Sequence, residues 1–211
     1  MFSSSGRQAE RAYNLGELMN RNADKYAEFV EHPRYGRGPR VTGCDPRDGK
    51  NVFFHWHSGL ECRVPDTAIA ADTSKQVEPT VAVTHYFDVI RTCRDCGRKF
   101  LFFAEEQRYW YETLGFGLDS DCVRCVECRK SEQQIARWRE RYEMLLKQTA
   151  RTESETLELI DSALSLMEEE VFGKRTLERA RALLNSFAGD AKIRERPTWR
   201  RLQARADAIA E

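Results

Sequence analysis

The sequence of 211 residues carries no net charge and contains no long hydrophobic run. Its 34 lysine and arginine residues balance 34 aspartate and glutamate residues, which argues against a nucleic-acid binder that is basic as a whole. No window approaches the roughly 18 uninterrupted apolar residues that a membrane span needs. The amino terminus also lacks the apolar segment of a secretory signal. These absences predict a soluble, cytoplasmic protein without a membrane partner.

The short motifs on which many enzymes depend are also missing. The sequence has no glycine-rich phosphate-binding loop and no nucleophile elbow, and no carboxylates stand at a telling spacing. The sequence therefore predicts a protein that is not an enzyme. Its composition, 41% hydrophobic and 32% charged, is that of a folded protein rather than a disordered tail.

Seven cysteines stand out against this background. A reducing cytoplasm disfavours structural disulfides, and an odd number of cysteines fits a disulfide framework poorly. Five of the seven lie between residues 93 and 128, and this clustering indicates metal binding.

The strongest signal is a pair of Cys-x-x-Cys motifs, Cys93 with Cys96 and Cys125 with Cys128. Two residues between ligands let one tight turn aim both sulfurs at one ion, and two such turns complete a tetrahedral zinc shell. Gly97 suits the first turn because glycine adopts positive φ without steric cost. Free buried cysteines and a redox motif are the alternatives, but the βαβ context of a redox motif is lacking.

Between the two motifs, the spacing predicts a strand over residues 99–103 and a helix over residues 104–114, which ends before Gly115. Basic residues flank the cysteines and can offset the net charge of four thiolates around one zinc ion. They are Arg94, Arg98, Lys99, Arg124, Arg129 and Lys130.

This module resembles the bacterial "probable zinc-ribbon" domain family, which is largely uncharacterised and is linked to treble-clef folds. The resemblance covers roughly residues 86–131 and rests on its motifs: Cys-x-x-Cys-Gly-x-x-Phe at 93–100, a Glu-Gln-x-x-Tyr-like helix at 103–112, Gly-Phe-Gly at 115–117 and Arg-Cys-x-x-Cys-Arg at 124–129. It implies zinc binding at Cys93, Cys96, Cys125 and Cys128, and no enzymatic activity. Cys122 departs from the pattern and leaves open whether it is a ligand or a spare thiol.

The predicted fold class is α+β, in three regions. Residues 1–80 form an amino-terminal helix, over 7–30, and an irregular extension with a strand at 52–57. Residues 81–130 form the zinc-ribbon or treble-clef-like module, which opens with a strand at 81–92. Residues 131–211 form an antiparallel helical bundle, with a capping box at 152–155 and a last helix that starts at Pro197.

Two weaker sets of residues are candidate sites. Cys44, His55, His57 and Cys62 offer ligands for a second metal, although their spacing matches no tight knuckle. The loop with Arg34, Arg37 and Arg40 offers contacts to nucleic-acid phosphates. The alternatives are that the histidines are packing residues and that the arginines pair with acids.

The sequence thus predicts a structural zinc-binding protein whose zinc ribbon is a rigid interaction module in a protein-binding adaptor. The first alternative is a nucleic-acid- or ribosome-associated binder. The second is an enzyme with a second metal site near His55 and His57. A protein partner is expected ahead of a nucleic acid.

Overall fold

The computed structural model describes residues 25–47, 51–77 and 81–209. Contacts within the chain divide it into two compact units, Met1–Arg129 and Lys130–Glu211. None of the described helices combines the length and the hydrophobicity that crossing a bilayer requires. Short antiparallel strands in the first unit and helices in the second agree with the predicted α+β class.

The strands of the first unit form two small antiparallel pairs. β1 (Ile69–Ala70) pairs with β2 (His85–Tyr86), and β3 (Val89–Thr92) pairs with β4 (Lys99–Phe102). A single 3₁₀ turn, Thr73–Lys75, follows β1. Helix α1 (Ala104–Arg108) follows β4 and continues as a π-helical turn over Tyr109–Thr113. The predicted helix at 104–114 is therefore present, but its second half is wider than an α-helix.

The predicted strand at 81–92 is two short strands in the structure. The chain breaks at residues 87 and 88, because their polar groups bond to other segments instead of a strand partner. Asp88 receives a backbone hydrogen bond from Val64 (2.8 Å) and donates its own N–H to Thr67 Oγ1 (3.0 Å).

The predicted strand at 52–57 is wrong. These residues are irregular apart from a bridge at Val52, and the chain turns where Ser58 N–H donates to His55 O (2.8 Å). Of their aromatic side chains, Phe54 packs edge to face against Phe87, whereas Phe53 and Trp56 are exposed. The predicted helix at 7–30 lies mostly outside the described residues, and residues 26–30 form a turn that ends in a bridge from Val30 to Phe100.

β4 is the most deeply buried strand, because both of its faces pack against apolar groups. Phe100 and Phe102 face a cluster that contains three cysteines. Leu101 faces the opposite way, into a cluster with Tyr26 and Val64. Successive side chains of a strand point to opposite faces, so the run of apolar residues at 100–103 fits a strand covered on both sides.

The second unit is helical. Its helices are α3 (Glu153–Glu168), α4 (Lys174–Ser186), the short α5 (Ala191–Arg194) and α6 (Pro197–Ala208), preceded by α2 (Val126–Lys147), which begins in the first unit. The predicted capping box is confirmed, since Thr152 and Glu155 exchange hydrogen bonds. The predicted start of the last helix at Pro197 is confirmed as well.

Three helices of the second unit share one apolar core. Its buried members come from α3, α4 and α6: Leu157, Ile160, Leu164, Leu177, Ala180, Leu184, Leu202 and Ala206. On another side of α3, Leu159 and Leu166 pack with Tyr142 and Leu145 of α2. The acidic side chains of α3 pair with arginines of α6, as in the bond from Arg205 to Glu168 (2.7 Å). Acidic side chains of α3 and basic side chains of α6 thus form ion pairs with each other inside the second unit.

Asp88 is the buried polar centre of the first unit. The side chain is fully buried, and each carboxylate oxygen accepts a backbone N–H, one from Ala104 and one from Arg40, both at 2.7 Å. The bond from Ala104 N–H caps the amino terminus of α1. The bond from Arg40 N–H fixes the end of the loop at 34–40. Burial raises the pKa of Asp88 to about 6, although both N–H groups act in the opposite direction.

We expect Asp88→Ala to lower the free energy of unfolding by about 3 kcal/mol, because two buried backbone N–H groups lose their acceptor. Urea unfolding of the zinc-saturated protein at pH 7 measures this change. Asp45→Ala is the matched control, since Asp45 is exposed, and it should change stability by less than about 0.5 kcal/mol. Equal effects of the two substitutions would contradict the role given to Asp88.

Candidate metal centre

The first pair of cysteines lies in the turn between β3 and β4. Cys93 follows β3 directly, and its N–H donates to Arg98 O (2.9 Å). Gly97 N–H donates back to Cys93 O (3.0 Å), which closes the turn around the sulfurs. Gly97 has a φ of 71°, in the left-handed region that favours glycine. The turn therefore has the form of a zinc knuckle.

The second pair lies at the start of a helix. Cys125 immediately precedes α2 and Cys128 lies in its first turn, where Arg129 N–H donates to Cys125 O (3.0 Å). A backbone bond from Arg94 N–H to Val123 O (2.9 Å) ties the knuckle to the segment that leads into α2. A hairpin knuckle thus faces the amino-terminal turn of a helix.

The four sulfurs meet at one point. All lie within 4.8 Å of one another, and the Cys96 and Cys125 sulfurs are 3.9 Å apart. Four sulfurs bound tetrahedrally at ~2.3 Å from one zinc ion are ~3.8 Å apart, so the arrangement fits zinc. The cysteines are free thiols rather than disulfides. Soft sulfur donors in a closed set of four are typical of a structural zinc site.

The electrostatics of the cluster favour a cation. Burial raises the pKa of Cys93, but backbone N–H groups of Cys96, Cys125 and Asp95 outweigh it and bring the pKa to about 6. Burial raises the pKa of Cys125, and burial together with the neighbouring sulfurs raises the pKa of Cys128. One thiol therefore ionises readily while others resist until a positive ion compensates the charge, so zinc binding releases protons.

Ion pairs surround the cluster on its exposed side. Arg98 pairs with Glu127, and Glu127 together with the nearby Cys96 sulfur raises the pKa of the Arg98 guanidinium group. Arg124 donates to Asp95 at 2.7 Å. These contacts join the knuckle to residues beside the second cysteine pair, and the arginines lie where they screen the thiolates.

A second set of contacts joins α2 to α1. Arg129 donates to Glu106 at 2.7 Å and lies over the ring of Trp110, 5.1 Å from its centroid. His32 Nε2 is 3.7 Å from the same Glu106 carboxylate. Trp110 also packs against Phe102, with ring centroids 5.0 Å apart. The first turn of α2 is thus fixed to the helix between the two cysteine pairs.

Cys122 lies outside the four-sulfur group. It is 1% exposed, and its Sγ approaches Arg124 O at 3.4 Å. Burial raises its pKa to about 12, which keeps the thiol neutral. Cys122 therefore packs as an apolar thiol beside the four sulfurs and is not one of the ligands that converge.

The predicted second metal site does not assemble. Among the residues that the structure describes, Cys93, Cys96, Cys125 and Cys128 form the one group of three or more metal-ligating side chains. Cys44 is exposed, and Cys62 is half-buried with its sulfur 3.7 Å from Glu61. His57 Nδ1 lies 3.6 Å from Asp121. His55 and His57 contact each other, with ring centroids 5.1 Å apart, but no three ligand atoms of the set converge on one point.

His55 is a buried packing residue. Its Nε2 contacts Leu118 O and lies 3.2 Å from the Tyr111 hydroxyl, while its Nδ1 accepts a hydrogen bond from His57 N–H (3.3 Å). Its ring stacks on that of Tyr111. Burial lowers the pKa of His55 to about 4. A neutral ring that donates from Nε2 and accepts at Nδ1 satisfies these contacts.

The three arginines of the loop are largely engaged within the protein. Arg37 pairs with Glu31 (3.1 Å) and donates to Ala27 O (3.0 Å). Arg40 pairs with Glu105 at 2.7 Å. Arg34 lies over the ring of Tyr35. Two of the three are thus neutralised by acids, and the structure does not group them as a separate basic patch.

Asp88 and Glu106 are the residues that sequence reasoning missed. Asp88 carries a signal, since it is the one acid in the otherwise uncharged run of residues 81–90. A strand with one face in solvent would have several polar or charged residues at alternate positions, so a lone acid indicates a buried polar role. Glu106 gives no comparable signal, because its two neighbours, His32 and Arg129, are distant in sequence.

We expect one zinc ion per chain, and we expect the double variant Cys93→Ser with Cys125→Ser to lose it. Each substitution replaces a soft thiolate by a hydroxyl, which is a poor zinc ligand. Native mass spectrometry counts the metal, and circular dichroism reports the folding of the first unit, which should weaken with the metal.

Cys122→Ala is the matched control for that experiment, because it removes a neighbouring cysteine that lies outside the group. It should retain one zinc ion, as should Cys44→Ser and Cys62→Ser. Zinc retained in the double variant, or lost in Cys122→Ala, would contradict the assigned ligand set.

His55 makes a pH-dependent contribution to stability. Its pKa of about 4 in the folded protein lies below the ~6.5 of an unfolded chain, so only the unfolded state gains a proton as the pH falls from about 6.5 to 4. The stabilising contribution of neutral His55 is fully present above about pH 6.5 and is lost as the pH falls from about 6.5 to 4. We expect the loss of unfolding free energy between pH 7 and 5 to be about 2 kcal/mol smaller in His55→Gln. Parallel pH profiles of the two proteins would argue against this.

Comparison with known proteins places the metal centre in a family. Residues 87–137 match the family model of a probable treble clef domain. No curated protein and no solved structure matches the chain significantly. The match spans both cysteine pairs, the β3–β4 hairpin, α1 and the start of α2. Together with the four converging sulfurs, it supports a treble clef zinc-binding domain in this part of the chain, with a structural role for the metal.

Proposed function

We propose that this protein is a protein-binding adaptor in which the structural zinc site holds a docking surface in shape. The observation that carries the proposal is a groove in the first unit with large apolar side chains exposed along it. Contiguous exposed apolar patches on a protein surface commonly mark sites of interaction with another protein.

The apolar groove, as we name it, has a volume of about 430 Å³. Trp56 is 70% exposed on its wall, and Val77 and Val81 are 50% and 56% exposed. Phe53, which is 45% exposed, continues the same wall. Tryptophan and other aromatic residues are enriched among the side chains that dominate binding energy, so Trp56 is the expected anchor.

The frame beneath the groove is packed and hydrogen-bonded. The backbone of Phe53 exchanges bonds with Thr84, since Thr84 N–H donates to Phe53 O (2.9 Å) and Phe53 N–H donates to Thr84 Oγ1 (2.9 Å). Beneath Trp56, the His55 ring is held between Leu118 O and Tyr111. A surface that is already ordered loses less conformational entropy when it binds.

The zinc site supports this groove through the segment between α1 and α2. Leu118 and Asp119 line the groove, and the same segment continues to Cys125. The Tyr111 hydroxyl donates to Ser120 O (2.6 Å), which holds the segment against the π-helical turn. Loss of the metal therefore releases one end of a groove wall.

The lining of the groove supports one kind of partner. Its walls are aliphatic and aromatic, one side chain on its rim, Asp119, is acidic, and no lysine or arginine of the described residues lines it. The complementary partner is a protein segment that presents an aliphatic or aromatic residue next to a lysine or arginine. The arginines of the 34–40 loop give less support to a nucleic-acid partner, because Arg37 and Arg40 are paired with acids.

Site-specific photocrosslinking tests the proposal. We expect p-benzoylphenylalanine at position 56 to crosslink to a different protein in living cells, whereas the same group at Leu60 should not. Leu60 is the matched control because it is 76% exposed but does not line the groove. Mass spectrometry of the product identifies the partner segment, which is then synthesised.

Binding of that synthetic segment decides the outcome. We expect Trp56→Ala to weaken its affinity about 30-fold, as for an interface anchor, and Leu60→Ala to leave it unchanged. Val81→Lys should also weaken it, because it places a cation opposite the basic residue of the partner. A crosslink to a second copy of this chain alone, or a segment that binds Trp56→Ala equally well, would overturn the proposal.

A further inference from the structure

A second and larger cavity in the first unit has a different character from the apolar groove. It is an open cleft of about 740 Å³ between the loop at 34–40, the turn at Thr73–Lys75 and the outer face of α1 with its π-helical turn. Its volume is within the range of ~300–1,000 Å³ that small-molecule sites occupy. We call it the polar cleft.

The acidic side chains of the polar cleft are already engaged by groups of the protein. Glu105 pairs with Arg40 at 2.7 Å. Asp72 pairs with Lys75 at 2.8 Å and accepts from the Ser74 hydroxyl. Glu112 accepts the backbone N–H of Asp72 at 2.8 Å. Arg40 and Lys75 are therefore already in ion pairs and are less able to bind an anionic ligand.

Two other cations of the cleft are not engaged in this way. Neither Arg34 nor Arg108 forms an ion pair with a carboxylate in the part of the chain that the structure describes, although both line the cleft. Arg34 lies over the ring of Tyr35, with its guanidinium carbon 5.4 Å from the centroid. The cleft therefore presents two guanidinium groups whose charge is available to an anion.

The wall that carries Arg34 is anchored. The Tyr35 ring stacks on His32 (centroids 4.7 Å apart) and contacts Phe103 (5.2 Å). His32 Nδ1 accepts the backbone N–H of Arg34 at 3.1 Å. At the other end of the loop, Asp88 holds the N–H of Arg40. The loop is thus tied to the core at both ends, as a binding wall requires.

The opposite wall carries an aromatic surface next to the second cation. Tyr109 follows Arg108 in the π-helical turn, lines the cleft and is 45% exposed. An exposed ring next to a guanidinium group is the combination that stacks on a planar base while binding a phosphate. The lining carries four cations and three acids, a net charge of only +1, which favours a compact ligand with one phosphate group over a long polyanion.

We infer that the polar cleft binds a small organic phosphate of mononucleotide size. Its phosphate group engages Arg34 and Arg108, and its planar ring lies against Tyr109. This site does not depend on the apolar groove and needs no protein partner. Of the three loop arginines predicted from the sequence to contact phosphates, only Arg34 binds the phosphate in this arrangement. The second phosphate contact is Arg108, at the end of α1.

Isothermal titration of the zinc-loaded, full-length protein tests the inference with AMP, inorganic phosphate and adenosine. We expect saturable binding of AMP, weaker binding of phosphate and no binding of adenosine. Arg108→Gln and Arg34→Gln should each weaken AMP binding about tenfold or more. Arg47→Gln is the matched control, because Arg47 is exposed and does not line the cleft, and it should bind AMP as the wild type does.

A second pair of variants tests the ring. Tyr109→Ala should weaken the binding of AMP but not that of phosphate, and Tyr109→Phe should bind both as the wild type does. No saturable AMP binding below about 1 mM would overturn the inference. So would equal affinities for AMP and phosphate, AMP binding that survives both arginine substitutions, or binding of single-stranded RNA without binding of AMP.

Discussion

Four thiol groups held within 4.8 Å of one another repel as thiolates unless a cation lies among them. The fold of the first unit depends on this constraint, because the groups come from a hairpin turn and a helix start that are joined by few other backbone bonds. Two of them, Cys93 and Cys125, also belong to the apolar cluster under β4. The same side chains that bind the metal are therefore part of the core, and the two forms of stabilisation are inseparable.

Around this centre, a small number of buried polar groups sets the positions of the remaining segments. Asp88 joins the loop at 34–40 to the start of α1, and Gln107 donates to the carbonyls of Phe87 (2.5 Å) and Phe102 (2.9 Å). The apolar groove and the polar cleft each have a wall formed by α1, its π-helical turn or the segment that follows. A module with little regular secondary structure thus obtains two well-defined surfaces from side-chain hydrogen bonds.

The parts of this architecture that local sequence determines were predictable, and those that distant contacts determine were not. The cysteine pairs, the apolar run at β4 and the capping box at 152–155 each carry their signal within a few residues. Residues 52–57 misled because aromatic residues also serve packing, as Phe54 does, and exposed surface, as Phe53 and Trp56 do, without any strand pairing. The different hydrogen-bond partners of His55 and Cys62, and the position of Arg108 across a cleft from Arg34, depend on tertiary contacts that spacing does not encode.

The distance between the two cysteine pairs has a consequence for biosynthesis. Cys96 leaves the ribosome 29 residues before Cys125, a delay of roughly 1–6 s at ordinary rates of chain elongation. For that interval the nascent chain carries a two-sulfur half-site, open to oxidation or to a foreign metal. The turn that completes the shell is the start of α2, so the native metal is secured only when translation has passed Cys128.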